Sequence, residues 1–264
     1  MAERSDPAAS DGGPPAVDYL QWSRTPLAGL LFLLPFLGLY ELAILTGSDP
    51  SALRNPAESW LRGSLLRAGD RWPWLLPSLV AGSLLLWHAV VRYRQGPGER
   101  IDSRGTILAG MLGESTLLAA ALVFAGQATH AVVTDGTMMS LATTPTGPGA
   151  WAAACLGAGI YEEVLFRLWA VPLSYLLLRL FVVPPRIAVA AAIVSTSLLF
   201  AAAHYPAAAF SEPPDGMMAE FAFRVAAGLA FASLFWLRGF GVAVGTHVLY
   251  DAIIVVVTAV QQPG

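Results

Sequence analysis

The chain alternates between long apolar runs and short polar segments. Six apolar runs contain at most two charged residues each, and they cover residues 27–46, 73–91, 105–126, 187–209, 217–237 and 240–260. Each is close to about 20 residues, the length of an α-helix that spans a bilayer. Residues 149–183 are also apolar apart from a few charges, and they fit one long helix kinked near Pro172 or two shorter segments. The pattern therefore predicts an all-α, polytopic membrane helix bundle with seven or eight transmembrane helices.

The polar segments predict the domain organisation. Residues 1–26 are polar, rich in Ala, Pro and Asp, and lack an apolar centre, so we expect a disordered N-terminal tail rather than a secretion signal. Residues 27–260 then form a single transmembrane domain. In the polar segment between the first two spans, residues 51–69 mix Trp and Leu with Arg, which favours a helix lying in the headgroup region. Four arginines between residues 92 and 104 predict a cytoplasmic loop.

The composition supports a membrane protein and excludes several other kinds of protein and site. Apolar residues make up 56% of the chain and charged residues 12%, against about 45–50% and about 25% in soluble domains. A net charge of −3 with 15 basic residues, all arginine, gives no basic surface for nucleic acid. The single Cys155 excludes an intramolecular disulfide and a Cys-rich zinc site. The absence of lysine beside many Ala, Gly and Arg is typical of GC-rich bacterial genomes, so we expect a multi-pass protein of a bacterial inner membrane.

The densest group of charges in an apolar region is Glu162-Glu163-Val-Leu-Phe-Arg167. Ionisable residues within membrane spans are costly and therefore indicate functional sites. On a helix, Glu163 and Arg167 lie four residues apart on one face, with the acid first, which favours an ion pair. Glu162 lies about 100° around the helix and has no local partner, so it is the expected acid or base. A purely structural ion-pair cluster is the alternative.

Two further groups lie on separate apolar segments. His204 follows Phe200 by four residues near the end of one predicted span, and His247 and Asp251 share a helix face in the last span. Each group alone is as well explained by a structural hydrogen bond. Together with Glu162 they supply a carboxylate, two imidazoles and a further oxygen ligand from three helices. Such a set can activate water, through a metal or by direct general-base chemistry, and stabilise an oxyanion.

The three motifs, in this order, resemble the CAAX protease and bacteriocin-processing (CPBP, or Abi) family, which includes the type II CAAX prenyl endopeptidases. These motifs are Glu-Glu-x-x-x-Arg at 162–167, Phe-x-x-x-His at 200–204 and His-x-x-x-Asp at 247–251. The resemblance covers roughly residues 105–260, with the peptidase-like motifs in 149–260. It implies an intramembrane, glutamate-dependent endopeptidase.

The resemblance also implies roles for individual residues. Glu162 would be the general base, with His204 beside it, and His247 with residue 251 would form the oxyanion hole or hold the water. Glu163 and Arg167 would orient the site. The family usually has Asn where this chain has Asp251, and a carboxylate donates a hydrogen bond only when it is protonated.

Asp251 could therefore be neutral, could orient His247, or could ligate a metal. In that metal alternative, zinc would be held by Glu162, His204, His247 and Asp251. We expect no cofactor, with zinc as the alternative.

The expected partners are membrane lipids and a peptide or protein substrate, lipidated or membrane-anchored, with no nucleic acid. The sequence identifies no substrate-binding residues. Two other functions fit the same pattern. One is a non-catalytic membrane scaffold or immunity-type protein of the same family. The other is a proton-coupled transporter, because buried carboxylates and histidines also form proton relays.

Overall fold

The computed structural model describes residues 19–47, 49, 53–95, 104–133 and 148–261, and the regular elements in this part of the chain are all helical. The α-helices are α1 (Tyr19–Ser23), α2 (Pro26–Thr46), α3 (Pro56–Leu66), α4 (Leu76–Gln95), α5 (Arg104–Val133), α6 (Pro148–Gly157), α7 (Val171–Leu180), α8 (Pro185–Ala202), α9 (Met217–Arg238) and α10 (Phe240–Gln261). Two π-helical segments, Ala158–Glu162 and Val164–Ala170, lie between α6 and α7. Short 3₁₀ helices occupy Trp72–Leu75 and Ala207–Phe210.

Six helical segments in the described part of the chain are long and apolar enough to cross a membrane. They are Pro26–Thr46, Trp72–Gln95, Arg104–Ala128, Pro185–Ala202, Met217–Arg238 and Phe240–Thr258. These segments correspond to the six apolar runs, which confirms a polytopic all-α membrane protein. Residues 148–180 form one continuous helical run, which we call the site helix, rather than two segments. The total of seven or eight crossings stays a prediction.

One predicted span is too long. The run 187–209 was expected to be a single helix, but α8 ends at Ala202 and residues 203–205 form a turn. Pro206 explains the early end, because proline cannot donate the helical hydrogen bond and disfavours the α conformation in the residue before it. His204 therefore lies in a turn just beyond the helix rather than within it.

The last helix, α10, lies at the centre of the bundle. It packs against α2, α5, α9 and the first π segment, and it is the most buried of the six spans. A Cβ added to Gly241 would lie 3.0 Å from Gly29 Cα, and one added to Gly245 would lie 2.7 Å from Ser115 Oγ. The absence of side chains at these two positions lets α10 approach α2 and α5 closely. His247 is consequently held inside the bundle.

The predicted disordered tail does not extend to α1. Residues 1–18 lie outside the described residues, but Tyr19–Ser23 is helical, and Trp22 is buried in an apolar cluster with α2 and α5. The Tyr19 hydroxyl donates to Glu114 Oε2 at 2.6 Å, and Arg238 Nη2 donates to the same oxygen at 2.6 Å. Burial and the Glu114 carboxylate raise the pKa of Tyr19 to about 12, so the phenol remains a donor. These contacts attach α1 to the bundle.

The polar segment after the first span contains α3, within the range 51–69 where an interfacial helix was predicted. Its charged side chains, Glu58 and Arg62, are buried against the bundle, whereas Trp60 and Leu66 are exposed. The outer face of α3 therefore carries large apolar side chains together with Ser59 and Ser64. A position in the headgroup region stays a prediction.

Candidate active site

The site helix carries the first motif at a change of helical geometry. Glu162 is the last residue of the first π segment, and Glu163 is the single residue between the two π segments. A π segment has i→i+5 hydrogen bonds and is frequently found at functional positions in helices. The wider turns mean that the expected angle of about 100° per residue does not apply here. Contacts in the structure, rather than spacing alone, define where these side chains lie.

Glu163 and Arg167 form the ion pair that their spacing predicted. Arg167 Nη1 lies 3.0 Å from Glu163 Oε1, and the two side chains are 1% and 0% exposed. Arg167 Nη2 donates to Gly228 O on α9 at 3.3 Å. The guanidinium carbon lies 4.3 Å from the centre of the Phe200 ring, a cation–π contact with α8. Arg167 therefore connects the site helix to α8 and α9. The orienting role of the pair stays a prediction.

His247 is held by the same carboxylate. Its Nδ1 lies 2.8 Å from Glu163 Oε1, and the ring stacks on Phe231 with centroids 4.4 Å apart and an interplanar angle of 13°. A carboxylate accepts, so Nδ1 carries the proton in this hydrogen bond. Nε2 consequently points away from Glu163, towards Glu162 and Asp251.

A glycine contact allows α10 to reach the site helix. A Cβ added to Gly159 would lie 2.3 Å from Val248 Cγ2 and 2.7 Å from Val248 N. Any larger residue would push the α10 backbone away. The absence of a side chain at Gly159 therefore brings His247, the neighbour of Val248, within reach of the two glutamates.

His204 reaches the site from the turn after α8. Its Nδ1 lies 2.7 Å from Phe200 O, and because a carbonyl only accepts, Nδ1 carries the proton. His204 Nε2 lies 3.9 Å from Glu162 Oε2. The four-residue spacing from Phe200 thus corresponds to a real contact, a side-chain hydrogen bond to the carbonyl that orients the ring.

The four predicted catalytic side chains converge on one place. Glu162 Oε2 lies 3.9 Å from the Nε2 atoms of both His204 and His247, and Asp251 Oδ2 lies 3.8 Å from His247 Nε2. Glu162 is 13% exposed, so the carboxylate is mostly enclosed. The structure therefore brings together all six residues singled out from the sequence, while their catalytic roles stay predictions.

One contact was missed by the sequence analysis. Asn55, at the start of α3, donates from Nδ2 to Glu162 Oε1 at 3.0 Å. Asn55 followed by Pro56 is a helix-start signal, because Asn caps N-termini and Pro favours the first helical position. That signal predicts where α3 begins, but nothing in the sequence indicates a contact across 107 residues.

The donor atoms of the four residues proposed for zinc lie too far apart for a metal site as the structure places them. Zinc binds His nitrogen and carboxylate oxygen at about 2.0–2.2 Å. Among the residues that the structure describes, no group of three or more His, Cys, Asp or Glu side chains is arranged to hold a metal ion. The side chains as placed do not fit a zinc site, so no catalytic step is assigned to a metal. The absence of a cofactor remains a prediction.

These features define a polytopic membrane protein with an enclosed carboxylate–histidine centre. Residues 144–253 match the sequence model of the Rce1-like family, described as type II CAAX prenyl endopeptidase Rce1-like. This part of the chain is therefore similar to that family, and the resemblance seen in the three motifs is confirmed. The match contains all six predicted site residues and begins later than the predicted residue 105. No curated protein matches the chain, and no solved structure matches it.

Proposed function

We propose that the protein is an intramembrane endopeptidase that hydrolyses a peptide bond with water activated by Glu162. The main support is the pair of 3.9 Å distances from Glu162 Oε2 to the Nε2 atoms of His204 and His247. Both distances exceed the length of a direct hydrogen bond, and polar groups at this separation are often bridged by water. A water between them would lie next to a carboxylate that can accept its proton.

In the proposed reaction, Glu162 acts first as base and then as acid. Glu162 Oε2 takes a proton from the water while the water oxygen bonds to the carbonyl carbon of the peptide. The carbonyl π electrons move to its oxygen and form a tetrahedral oxyanion. As the oxyanion collapses, the carbon–nitrogen bond breaks, and Glu162 returns the proton to the leaving nitrogen. General acid–base catalysis of this kind contributes about 10²- to 10⁴-fold in rate.

The two imidazole rings would bind the water and the oxyanion. Each ring uses Nδ1 for a hydrogen bond to the protein, which leaves Nε2 facing Glu162. Because Nδ1 already carries a proton, Nε2 of a neutral ring accepts a hydrogen bond from the water. A ring that is also protonated at Nε2 is an imidazolium, and it donates to the oxyanion as a preorganised, charged donor of the kind that stabilises such intermediates. Asp251 lies close enough to influence His247 Nε2. In this proposal Asp251 orients the ring or, when protonated, donates itself.

The proposed substrate is a peptide or protein whose cleavage site lies at the membrane. The matched family is described as prenyl endopeptidases, so a lipidated C-terminal tail is the first substrate to test. Peptide precursors and membrane-anchored proteins are the others. Membrane lipids surround the protein in this proposal, and a bacterial inner membrane stays the predicted location.

The direct test uses the purified protein in proteoliposomes with quenched fluorescent peptides. One peptide ends in a prenylated cysteine followed by three residues, and the others are unmodified and membrane-anchored peptides. Glu162→Gln should lower kcat about 10²- to 10⁴-fold, His204→Ala should also lower it strongly, and Glu220→Gln should cleave like the wild type. Intact cleavage in both site variants would refute the proposal. A Glu162→Gln variant used to trap substrates from membranes would identify the natural one.

The same protein preparations distinguish the proposed peptidase from the alternative functions. A scaffold or immunity-type protein would keep its cellular function in the Glu162→Gln variant, and a proton-coupled transporter would move solute into liposomes in response to a pH gradient. Elemental analysis tests the metal-free route. We expect no stoichiometric metal in the purified protein. Zinc that is present in the wild type but lost from a His204→Ala/His247→Ala double variant would contradict the metal-free mechanism.

A further inference from the structure

Asn55 uses both ends of its side-chain amide. Its Oδ1 accepts from Ala57 N at 2.8 Å, which caps α3, and its Nδ2 donates to Glu162 Oε1 at 3.0 Å. Residue 55 lies outside the segment 144–253 that matches the family. The contact therefore links an N-terminal helix to the carboxylate at the centre of the site.

Only an amide suits both contacts. Ser, Thr, Asp and Asn all cap helix N-termini with a side-chain oxygen. Among them, Asn alone also carries an NH₂ group, which can donate while the oxygen is engaged in the cap. Capping by itself would therefore be satisfied by several residues at position 55, whereas the hydrogen bond to Glu162 requires the amide.

The site helix is shaped to receive Asn55. A Cβ added to Gly157 would lie 3.1 Å from Asn55 Cβ and 2.8 Å from Tyr40 Cε2. Gly157 precedes Glu162 by five residues, which is about one turn of a π-helix. The missing side chain at Gly157 thus leaves the space through which Asn55 approaches the glutamate.

The helix that carries Asn55 is fixed by buried polar contacts. Glu58 accepts hydrogen bonds from the Tyr40 hydroxyl on α2 and from Arg62 Nε. Arg62 Nη1 also donates to Pro73 O at 2.7 Å. Because buried polar groups are costly to leave unpaired, these contacts keep the first turn of α3, and Asn55 with it, against the site helix.

We propose that Asn55 is a positioning residue for Glu162: by holding Oε1, it keeps Oε2 directed at the two histidine Nε2 atoms. The inference rests on the proposed peptidase function. The terminal torsion of a glutamate side chain is broad, so without a donor on Oε1 the carboxylate can turn away from the water. Misplacement of a reacting group by about 1 Å costs as much as about 10²-fold in rate.

The kinetic test compares Asn55→Ser with Thr25→Ala. Ser keeps the cap of α3 but is too short to donate to Glu162. Thr25 caps α2 by accepting from Ala28 N at 3.2 Å, so Thr25→Ala removes a cap away from the site. We expect Asn55→Ser to lower kcat for the quenched peptides about ten- to a hundredfold with KM nearly unchanged. Thr25→Ala should lower the unfolding temperature and leave kcat unchanged.

A spectroscopic test needs no turnover. The infrared difference between each background and the same background with Glu162→Gln isolates the carboxylate bands of Glu162. Loss of a hydrogen bond to Oε1 should move the antisymmetric stretch to higher wavenumber in Asn55→Ser and leave it unchanged in Thr25→Ala. Asn55→Asp, which keeps the size and the cap but replaces the donor with an acceptor, is the second variant and should change both kcat and the band.

The outcomes separate the two proposals. If Glu162→Gln abolishes cleavage while Asn55→Ser and Asn55→Asp retain wild-type kcat, the positioning role is overturned and the peptidase function stands. An unchanged Glu162 band in both Asn55 variants also overturns it. If the wild type cleaves none of the peptides, the peptidase function fails, and the positioning role, which rests on it, fails as well. A band that shifts in that case would still establish the hydrogen bond.

Discussion

The site helix and α3 each contain a buried Glu-x-x-x-Arg pair, and α9 contains a third pair at the surface. The pairs are Glu163–Arg167, Glu58–Arg62 and Glu220–Arg224. The side chains of the first pair are 0% and 1% exposed, those of the second 0% and 10%, and those of the third 51% and 28%. The spacing is identical, so the surroundings alone distinguish them.

The two buried pairs differ in the side chains that contact their charged groups. In the site helix, Glu163 also accepts from His247, and Arg167 lies over Phe200. In α3, Glu58 accepts from a Tyr hydroxyl, and a second arginine, Arg54, lies 3.6 Å from it. The first pair therefore lies in the candidate site, while the second attaches a helix to the bundle.

The spacing of an ion pair does not by itself predict how much the pair contributes to stability. An exposed i,i+4 pair contributes about 0.3–0.5 kcal/mol to helix stability. Removing one partner of a buried pair costs about 3–5 kcal/mol, because the remaining charge is left without compensation in a poor dielectric. Four predictions test whether loss of an ion-pair partner costs more stability at the buried pairs than at the exposed pair.

The largest effect is expected for Arg167→Met. Among the described residues, Glu163 would keep His247 as its partner, so we expect the free energy of unfolding to fall by about 3–5 kcal/mol, together with loss of peptide cleavage. The measurement is thermal or denaturant unfolding in detergent micelles. Arg179→Met, in the same helical run but exposed, is the control. Similar losses in both variants would contradict the assignment.

A smaller effect is expected for Arg62→Met in α3. Glu58 would keep the Tyr40 hydroxyl and Arg54 as partners, so the expected loss is about 2–3 kcal/mol. The unfolding measurement is the same, with the exposed Arg67→Met at the end of α3 as control. Loss equal to or greater than that of Arg167→Met would reverse the proposed order.

The double variant Glu58→Gln/Arg62→Met should recover part of the loss. Removing both buried charges leaves only Arg54 and Glu41 without these partners, and both are partly exposed to solvent. We therefore expect a net loss of about 1 kcal/mol. A double-mutant cycle with the two single variants measures the coupling between the residues. Additive effects would show that the two side chains do not stabilise each other.

The smallest effect is expected for Glu220→Gln. The pair is largely exposed, so the free energy of unfolding should change by less than about 0.5 kcal/mol, and less still at high salt because exposed charges are screened. Unfolding at low and high salt is the measurement. A loss above about 1 kcal/mol would mean that Glu220 has a buried role in the native membrane.

The sequence predicted much of the fold because a bilayer restricts the possible structures. Backbone groups in lipid must be paired internally, so an apolar run of about 20 residues predicts a helix. Only the run ending at residue 209 was too long, and there the helix-breaking Pro206 was the neglected signal. The tail prediction was wrong for α1, because the contacts that order this short helix come from α5 and α9, far along the chain.

The sequence also identified only some of the residues that meet at the candidate site. Glu162, His204 and His247 were found because ionisable groups in apolar helices are rare. Asn55 was not, since an Asn before a Pro has an adequate local explanation as a helix cap. Polar residues in loops have many solvent-exposed uses, and composition does not distinguish the one that reaches a buried carboxylate.

The sequence by itself determined that the chain forms membrane-spanning helices and that three of its apolar segments carry the candidate site residues. Helix periodicity and the cost of charge in lipid are local properties, so they can be obtained from the order of residues. The tertiary structure alone decided which of the three Glu–Arg pairs meets a histidine, and that Asn55 holds Glu162 Oε1. Burial and contact across 107 residues depend on how the helices pack, for which glycines such as Gly157 and Gly159 leave the space.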